Sequence, residues 1–157
     1  MNESAADISE CGHYRYSLSR NWAWMAPLVF VMLNPSTADA THDDPTIRRC
    51  IAFAKRENCG GIQVVNLYAF RATSPKLLLE SSRDIVGPCN DAVLRSMAGA
   101  TTVVCAWGAN APSDRARRVC EILDENSMCR VCFGLTKSGA PRHPLYVRAD
   151  APLVPYV

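Results

Sequence analysis

The chain has 157 residues, 48% of them hydrophobic and 20% charged, and a formal net charge of +2. That length suits one domain with a real core, and the composition excludes a disordered or membrane-embedded chain. The +2 charge is too small to argue for nucleic acid by itself.

The longest apolar run, Ala26 to Leu33 with Pro27 inside it, falls far short of the roughly 20 residues that span a bilayer. Met1 to His13 carries Glu3, Asp7 and Glu10 without an apolar stretch, so it does not read as a secretory leader. The expectation is a cytoplasmic protein with no membrane partner, organised as a flexible arm over residues 1–13 and a single α/β domain over 14–157.

In chain order, Tyr14 to Arg20 alternates Tyr14, Tyr16 and Leu18 against Arg15, Ser17 and Ser19, the pattern of an edge strand. Leu28 to Leu33 is a continuous apolar run closed by Asn34-Pro35, as in a strand buried on both faces. Asp43-Asp44-Pro45 offers a cap and a first-turn proline. Ile47, Cys50, Ile51 and Ala54 then recur at the spacing of one helical face. Gly60-Gly61 stops that helix, and Ile62 to Ala69 is the next strand.

Ser74-Pro75 opens a short helix through Leu79, and a further helix spans Pro88 to Ala98. Thr101 to Trp107 is a third buried strand closed by Gly108. Ser113-Asp114 starts a helix with Ala116, Val119, Cys120 and Leu123 inward, and Cys129 to Leu135 is the last clear strand. Alternating strands and helices predict a three-layer α/β/α sandwich with a mostly parallel central sheet. Eight cysteines in such a chain read as reduced thiols, with Cys50, Cys105, Cys120 and Cys132 on apolar faces. Cys129 and Cys132 have C-x-x-C spacing but no second pair, and they lie in a strand-like run.

Ligands of parallel sheets bind beyond the carboxyl ends of the strands. The residues at those ends are therefore the candidates: Asn34, Pro35, Ser36 and Thr37; Asn66, Tyr68 and Arg71; Trp107; and Lys137, Arg142 and His143. An amide beside two hydroxyls orients a water or holds a planar ligand, although Asn34 could equally cap its own turn. Asn66, inside Val64-Val-Asn-Leu67, needs a dedicated partner when buried, and its carbonyl and NH₂ complement a nucleobase edge. His143 can donate to charge developing on an oxygen. Neither a P-loop nor a G-x-G-x-x-G fingerprint is present, and no cofactor or metal is expected. The basic stretches Arg48, Arg49, Lys55, Arg56 and Arg115, Arg117, Arg118 read first as solvated helix faces.

Val31-Met-Leu-Asn-Pro-Ser-Thr-Ala-Asp39, Val65-Asn-Leu-Tyr-Ala-Phe-Arg-Ala72, Ala106-Trp-Gly108 and Gly134 to Gly139 with Arg142-His-Pro-Leu-Tyr146 resemble the DUF1643 family of bacterial and phage proteins. A more distant resemblance is to the uracil-DNA glycosylase superfamily. Leu33-Asn34-Pro35-Ser36 is similar to its water-positioning loop, Val65-Asn66-Leu67 to its base-reading strand, and His143-Pro144-Leu145 to its late His-Pro-Ser motif. The chain departs from that pattern at Leu145 and Ser36.

This second resemblance implies a uracil-DNA glycosylase-like fold and a nucleobase-directed hydrolase acting on an N-glycosidic bond in DNA or in a nucleotide-like molecule. Asn34 would orient water, Asn66 would read the base, and His143 would stabilise the leaving base. Tyr68, Phe70 or Trp107 would supply a stacking face for a flipped base. The alternative is a binding module for nucleobases or nucleic acid, without chemistry, serving a phage or DNA-modification system.

Overall fold

The central strands form where β-branched and apolar residues run between turn residues, and in the computed structural model, which describes residues 2–97 and 100–157, they and the flanking strands assemble into one sheet. Its strands are β1 (Glu3–Ile8), β2 (Arg15–Asn21), β3 (Pro27–Met32), β4 (Gly61–Asn66), β5 (Thr102–Cys105), β6 (Cys129–Cys132) and β7 (Val154–Pro155). They lie in the order β1-β2-β4-β3-β5-β6-β7. The pairs β3/β4, β3/β5 and β5/β6 are parallel, whereas β1/β2, β2/β4 and β6/β7 are antiparallel.

The sheet is therefore mixed, with a parallel centre, rather than mostly parallel. The difference arises at both flanks, where chain segments pair through backbone groups that composition does not reveal. One of them is β1, which occupies residues read as an arm. By covering the outer side of β2, it makes that strand an internal one rather than an edge.

Four helices accompany the sheet among the described residues: α1 (Pro45–Arg56), α2 (Pro75–Leu79), α3 (Asn90–Arg95) and α4 (Ser113–Glu125), with a 3-10 turn over Pro144–Tyr146. None is long and apolar enough to cross a membrane. The expected end of the third helix at Ala98 lies outside the described residues.

Side chains on one sheet face, including Phe30, Met32 and Val64, pack with Ile47, Cys50, Phe53 and Ala54 of α1. Those on the other, including Val29, Val31 and Val65, pack with Leu94 of α3 and Val119, Ile122 and Leu123 of α4. On α1 the inward residue is Phe53 rather than Ile51, because its ring stacks on Phe133 at 4.2 Å between centroids. On α4, Arg115 and Ile122 are buried rather than Ala116 and Cys120. Arg115 Nε donates to Leu67 O at 2.8 Å and Nη2 to Asp91 Oδ1 at 2.6 Å, so this arginine fastens α4 to α3 and to the end of β4.

The basic stretch of α1 is also structural. Arg49 donates to the carbonyls of Pro144 and Val147, and Arg56 to those of Ala149 and Ala151, which latches the chain after His143 onto α1.

The register of β1 against β2 breaks between Asp7 and Ile8. Asp7 lies opposite Ser17 and Ile8 opposite Arg15, so Tyr16 is the extra residue of a β-bulge. Beyond the bulge the side-chain alternation inverts. Arg15 comes to the same face as Leu18, donating from Nη1 to Ala38 O at 2.7 Å. Tyr16 turns to the other face, where its ring lies 3.3 Å from where a Cβ on Gly87 would stand.

All eight cysteines are free, and Cys129 is exposed while Cys132 is buried, so the C-x-x-C thiols do not share a surface.

Candidate functional site

Four chain segments are tied together at the carboxyl ends of the parallel strands. Leu67 N and Tyr68 N donate to Met32 O and Leu33 O, joining the exits of β4 and β3. Ala106 N donates to Val31 O at 2.8 Å, and Ala72 N to Pro35 O at 3.0 Å. Gly108, at φ +78°, turns the chain after β5 so that its N–H reaches Pro141 O at 2.9 Å. A Cβ at that position would meet His143 Cβ at 3.4 Å, in a conformation that favours glycine, so the close approach of the histidine loop is built into this turn.

Between these segments and the first turn of α1 lies a cavity of about 440 Å³, within the size range of small-molecule sites. Asn34, Ser36, Thr37, Trp107, Arg142 and His143 line it. The other candidates are elsewhere. Pro35 is buried behind the loop, accepting from Asn34 and Ala72, and Lys137 is exposed outside the cavity. Tyr68 is buried in the α3/α4 core, under the Arg115 guanidinium. Arg71 points its Nη1 at Gly12 O, and Phe70 stacks against His13. Asn66 is only 1% exposed and does not line the cavity; neither amide atom has a hydrogen-bond partner among the described residues.

Three cavity residues hold defined orientations. Asn34 Nδ2 donates to Pro35 O and Ala72 O, both at 2.9 Å, and this double tie leaves Oδ1 without a partner among the described residues. Asp44 caps α1 through Oδ1, which accepts from Ile47 N at 2.9 Å, and its Oδ2 makes no bond to the described residues. It is the one carboxylate residue lining the cavity among those described. His143 Nδ1 accepts from Leu145 N at 3.2 Å, so in the neutral ring the proton rests on Nε2.

Burial pushes the His143 imidazole below its usual pKa, with Asp44 opposing the shift. The unfolded ring titrates at about 6.5. Below that pH the unfolded chain therefore takes up the proton first, and stability falls until the native pKa is passed. His143→Gln, which keeps an acceptor for Leu145 N, should flatten that decline. Urea denaturation at neutral and mildly acidic pH measures it, and an unchanged slope would show that His143 titrates normally.

Residues beyond the sequence-level candidates complete the wall: Arg15, Thr46, Thr73, Ser74 and Tyr146 among them. Arg15 had no signal in the alternation, which sent it outward; only the bulge reverses it. Asp44 was legible as a cap, and the same position that caps α1 brings it to the cavity. Asp43, beside it, instead bonds Arg20 Nε at 2.9 Å.

A family model described as a protein of unknown function (DUF1643) matches residues 15–145. The chain belongs to the DUF1643 family. The matched span begins at Arg15 and ends at Leu145, so this DUF1643 chain holds nearly its whole cavity wall within the family region. No curated protein and no solved structure matches it.

Proposed function

We propose that the cavity is the active site of a nucleobase-directed enzyme that hydrolyses an N-glycosidic bond in a nucleotide-like molecule or in DNA. The observation that carries this reading is the convergence of Asn34, Asp44 and His143 on one cavity, with Asn34 Oδ1 and Asp44 Oδ2 free of partners among the described residues and His143 Nδ1 engaged. In the hydrolysis, Asn34 Oδ1 accepts from a water and Asp44 Oδ2 takes its proton as the oxygen bonds to the anomeric carbon. The base departs with the bonding electrons, and His143 Nε2–H donates to the charge that develops on its oxygen. Trp107 contributes a flat apolar wall. The reading draws on the resemblance to uracil-DNA glycosylases, and helices packed on both sheet faces agree with the three-layer architecture which that resemblance implies.

A second reading, a non-catalytic nucleobase-binding module, is favoured by the double tie of Asn34 to backbone carbonyls, which gives this residue a structural task without any chemistry. The deciding experiment incubates the purified protein with oligonucleotides bearing uracil or modified bases and with nucleoside monophosphates, and follows free base by chromatography. Release of base that stops with Asn34→Ala supports the hydrolase. Binding of these compounds without release from any of them supports the module.

A further inference from the structure

We infer that Arg15 anchors an anion subsite on the inner wall of the cavity, shaped for the terminal phosphate of a small substrate rather than for the internal phosphodiesters of a nucleic acid. The inference deepens the proposed function and rests on it for the rest of the substrate, while the anion itself is argued from the arginine.

Arg15 is 2% exposed and lines the cavity, yet among the described residues it forms no ion pair. Among the described residues, only Nη1 of its donor nitrogens is engaged, to Ala38 O, and Nε is buried with no partner. A guanidinium removed from water in this state is costly, and burial lowers its pKa to about 10. Arg20, on the same strand, shows the ordinary solution: it is also buried, but its guanidinium meets Asp43 and several carbonyls. A chain that turns Arg15 inward through a β-bulge and then leaves its fork mostly empty has the form of a receptor for a bidentate oxyanion.

The surroundings agree. Thr46, in the first turn of the twelve-residue α1, lines the same cavity, and its N–H has no acceptor among the described residues. The positive end of the helix dipole therefore adds to Arg15. Arg142, exposed and bonded through Nε to Leu135 O, also lines the cavity, and Asp44 is the one opposing charge. With His143 neutral, the ionised residues lining the cavity sum to one positive charge. Depth selects the kind of anion: a group that reaches a 2% exposed arginine is the end of a molecule, since an internal diester would have to bring both neighbouring nucleotides in with it.

The test uses the full chain and measures melting temperature and calorimetric binding with inorganic phosphate, pyrophosphate, a nucleoside monophosphate, the matching nucleoside, and a single-stranded oligonucleotide without terminal phosphates. The phosphate-bearing small molecules should raise the melting temperature by roughly 5–10 °C at concentrations about a hundredfold above Kd. Arg15→Met, which keeps the length of the side chain without the charge, should melt no lower than the wild type and lose that rise. Arg15→Lys, a point charge without the fork, should bind phosphate at least about tenfold more weakly and serves should the methionine variant not fold.

No binding of any phosphate by the wild type, or an undiminished phosphate response in both variants, overturns the subsite. Equal affinity for nucleoside and nucleoside monophosphate also overturns it while leaving the nucleobase reading intact. Phosphate binding that depends on Arg15, with no base released from any substrate, leaves the subsite standing and removes the hydrolase. An oligonucleotide without terminal phosphates that binds as tightly as the monophosphate, through Arg15, assigns the site to a backbone phosphate and overturns the terminal-group assignment.

Discussion

Asn34→Ala should lower turnover by roughly 10²-fold or more while leaving the protein folded, because misplacing a single positioning group is enough to lose that much rate. The structural cost is separable. The substitution removes two part-buried hydrogen bonds from Nδ2, to Pro35 O and Ala72 O, worth about 1–3 kcal/mol together. A domain with a net stability of about 5–15 kcal/mol tolerates that loss.

Asn34→Asp sharpens the test, since it is nearly isosteric. Its carboxylate would set an oxygen against the two carbonyls that now accept from Nδ2, so it should destabilise more than alanine does and lose turnover as well. Denaturant unfolding of both variants beside base-release assays gives the two readouts. Full turnover in Asn34→Ala would remove the water-orienting role and leave Asn34 as a loop brace.

Much of the scaffold was legible because it depends on local chemistry. The α1 start follows from Asp44 and Pro45, whose cap and first-turn roles need only their immediate neighbours. The parallel centre follows from Leu28 to Met32, apolar on both faces, and from Ile62, Val64 and Val65 in the strand beside it. Asn34, Trp107 and His143 were found for the same reason, as residues that must emerge where those strands end.

Arg15 was not legible, because its direction is set by one inserted residue in the pairing of β1 with β2, and β1 itself is held by backbone bonds under a mostly exposed sequence. Nor was the work of Arg49 and Arg56. A basic helix face reads as solvated until the chain after His143 folds back and offers its carbonyls. Arg115 is the same lesson inside the core, since only the arrival of Asp91 and Leu67 O makes its burial tolerable.

Asn66→Val should stabilise the protein by about 1–2 kcal/mol, and Asn66→Asp should destabilise it by about 3 kcal/mol or more at neutral pH. Both follow from one observation: Asn66 is 1% exposed, and neither Oδ1 nor Nδ2 has a partner among the described residues. A buried amide without hydrogen bonds costs about 1–3 kcal/mol in mutational data. Valine removes that cost and suits a strand whose register partner, Met32, lies in the α1-side core.

Aspartate instead buries a charge, and burial raises its pKa above the unfolded value of about 3.9. The native chain then binds more protons than the unfolded one between those two values. The aspartate penalty is therefore full above the native pKa and fades as the pH falls towards about 4. Urea denaturation of both variants at pH 7 and pH 4.5 measures the pair.

A loss of stability in Asn66→Val would mean that the amide is satisfied by an enclosed water, which the valine evicts. Turnover of the same variant decides its function. Raised stability with unchanged base release makes Asn66 an unpaired core residue, as its place outside the cavity implies, whereas raised stability with base release lost makes it a positioning residue for the strand ends that carry the cavity.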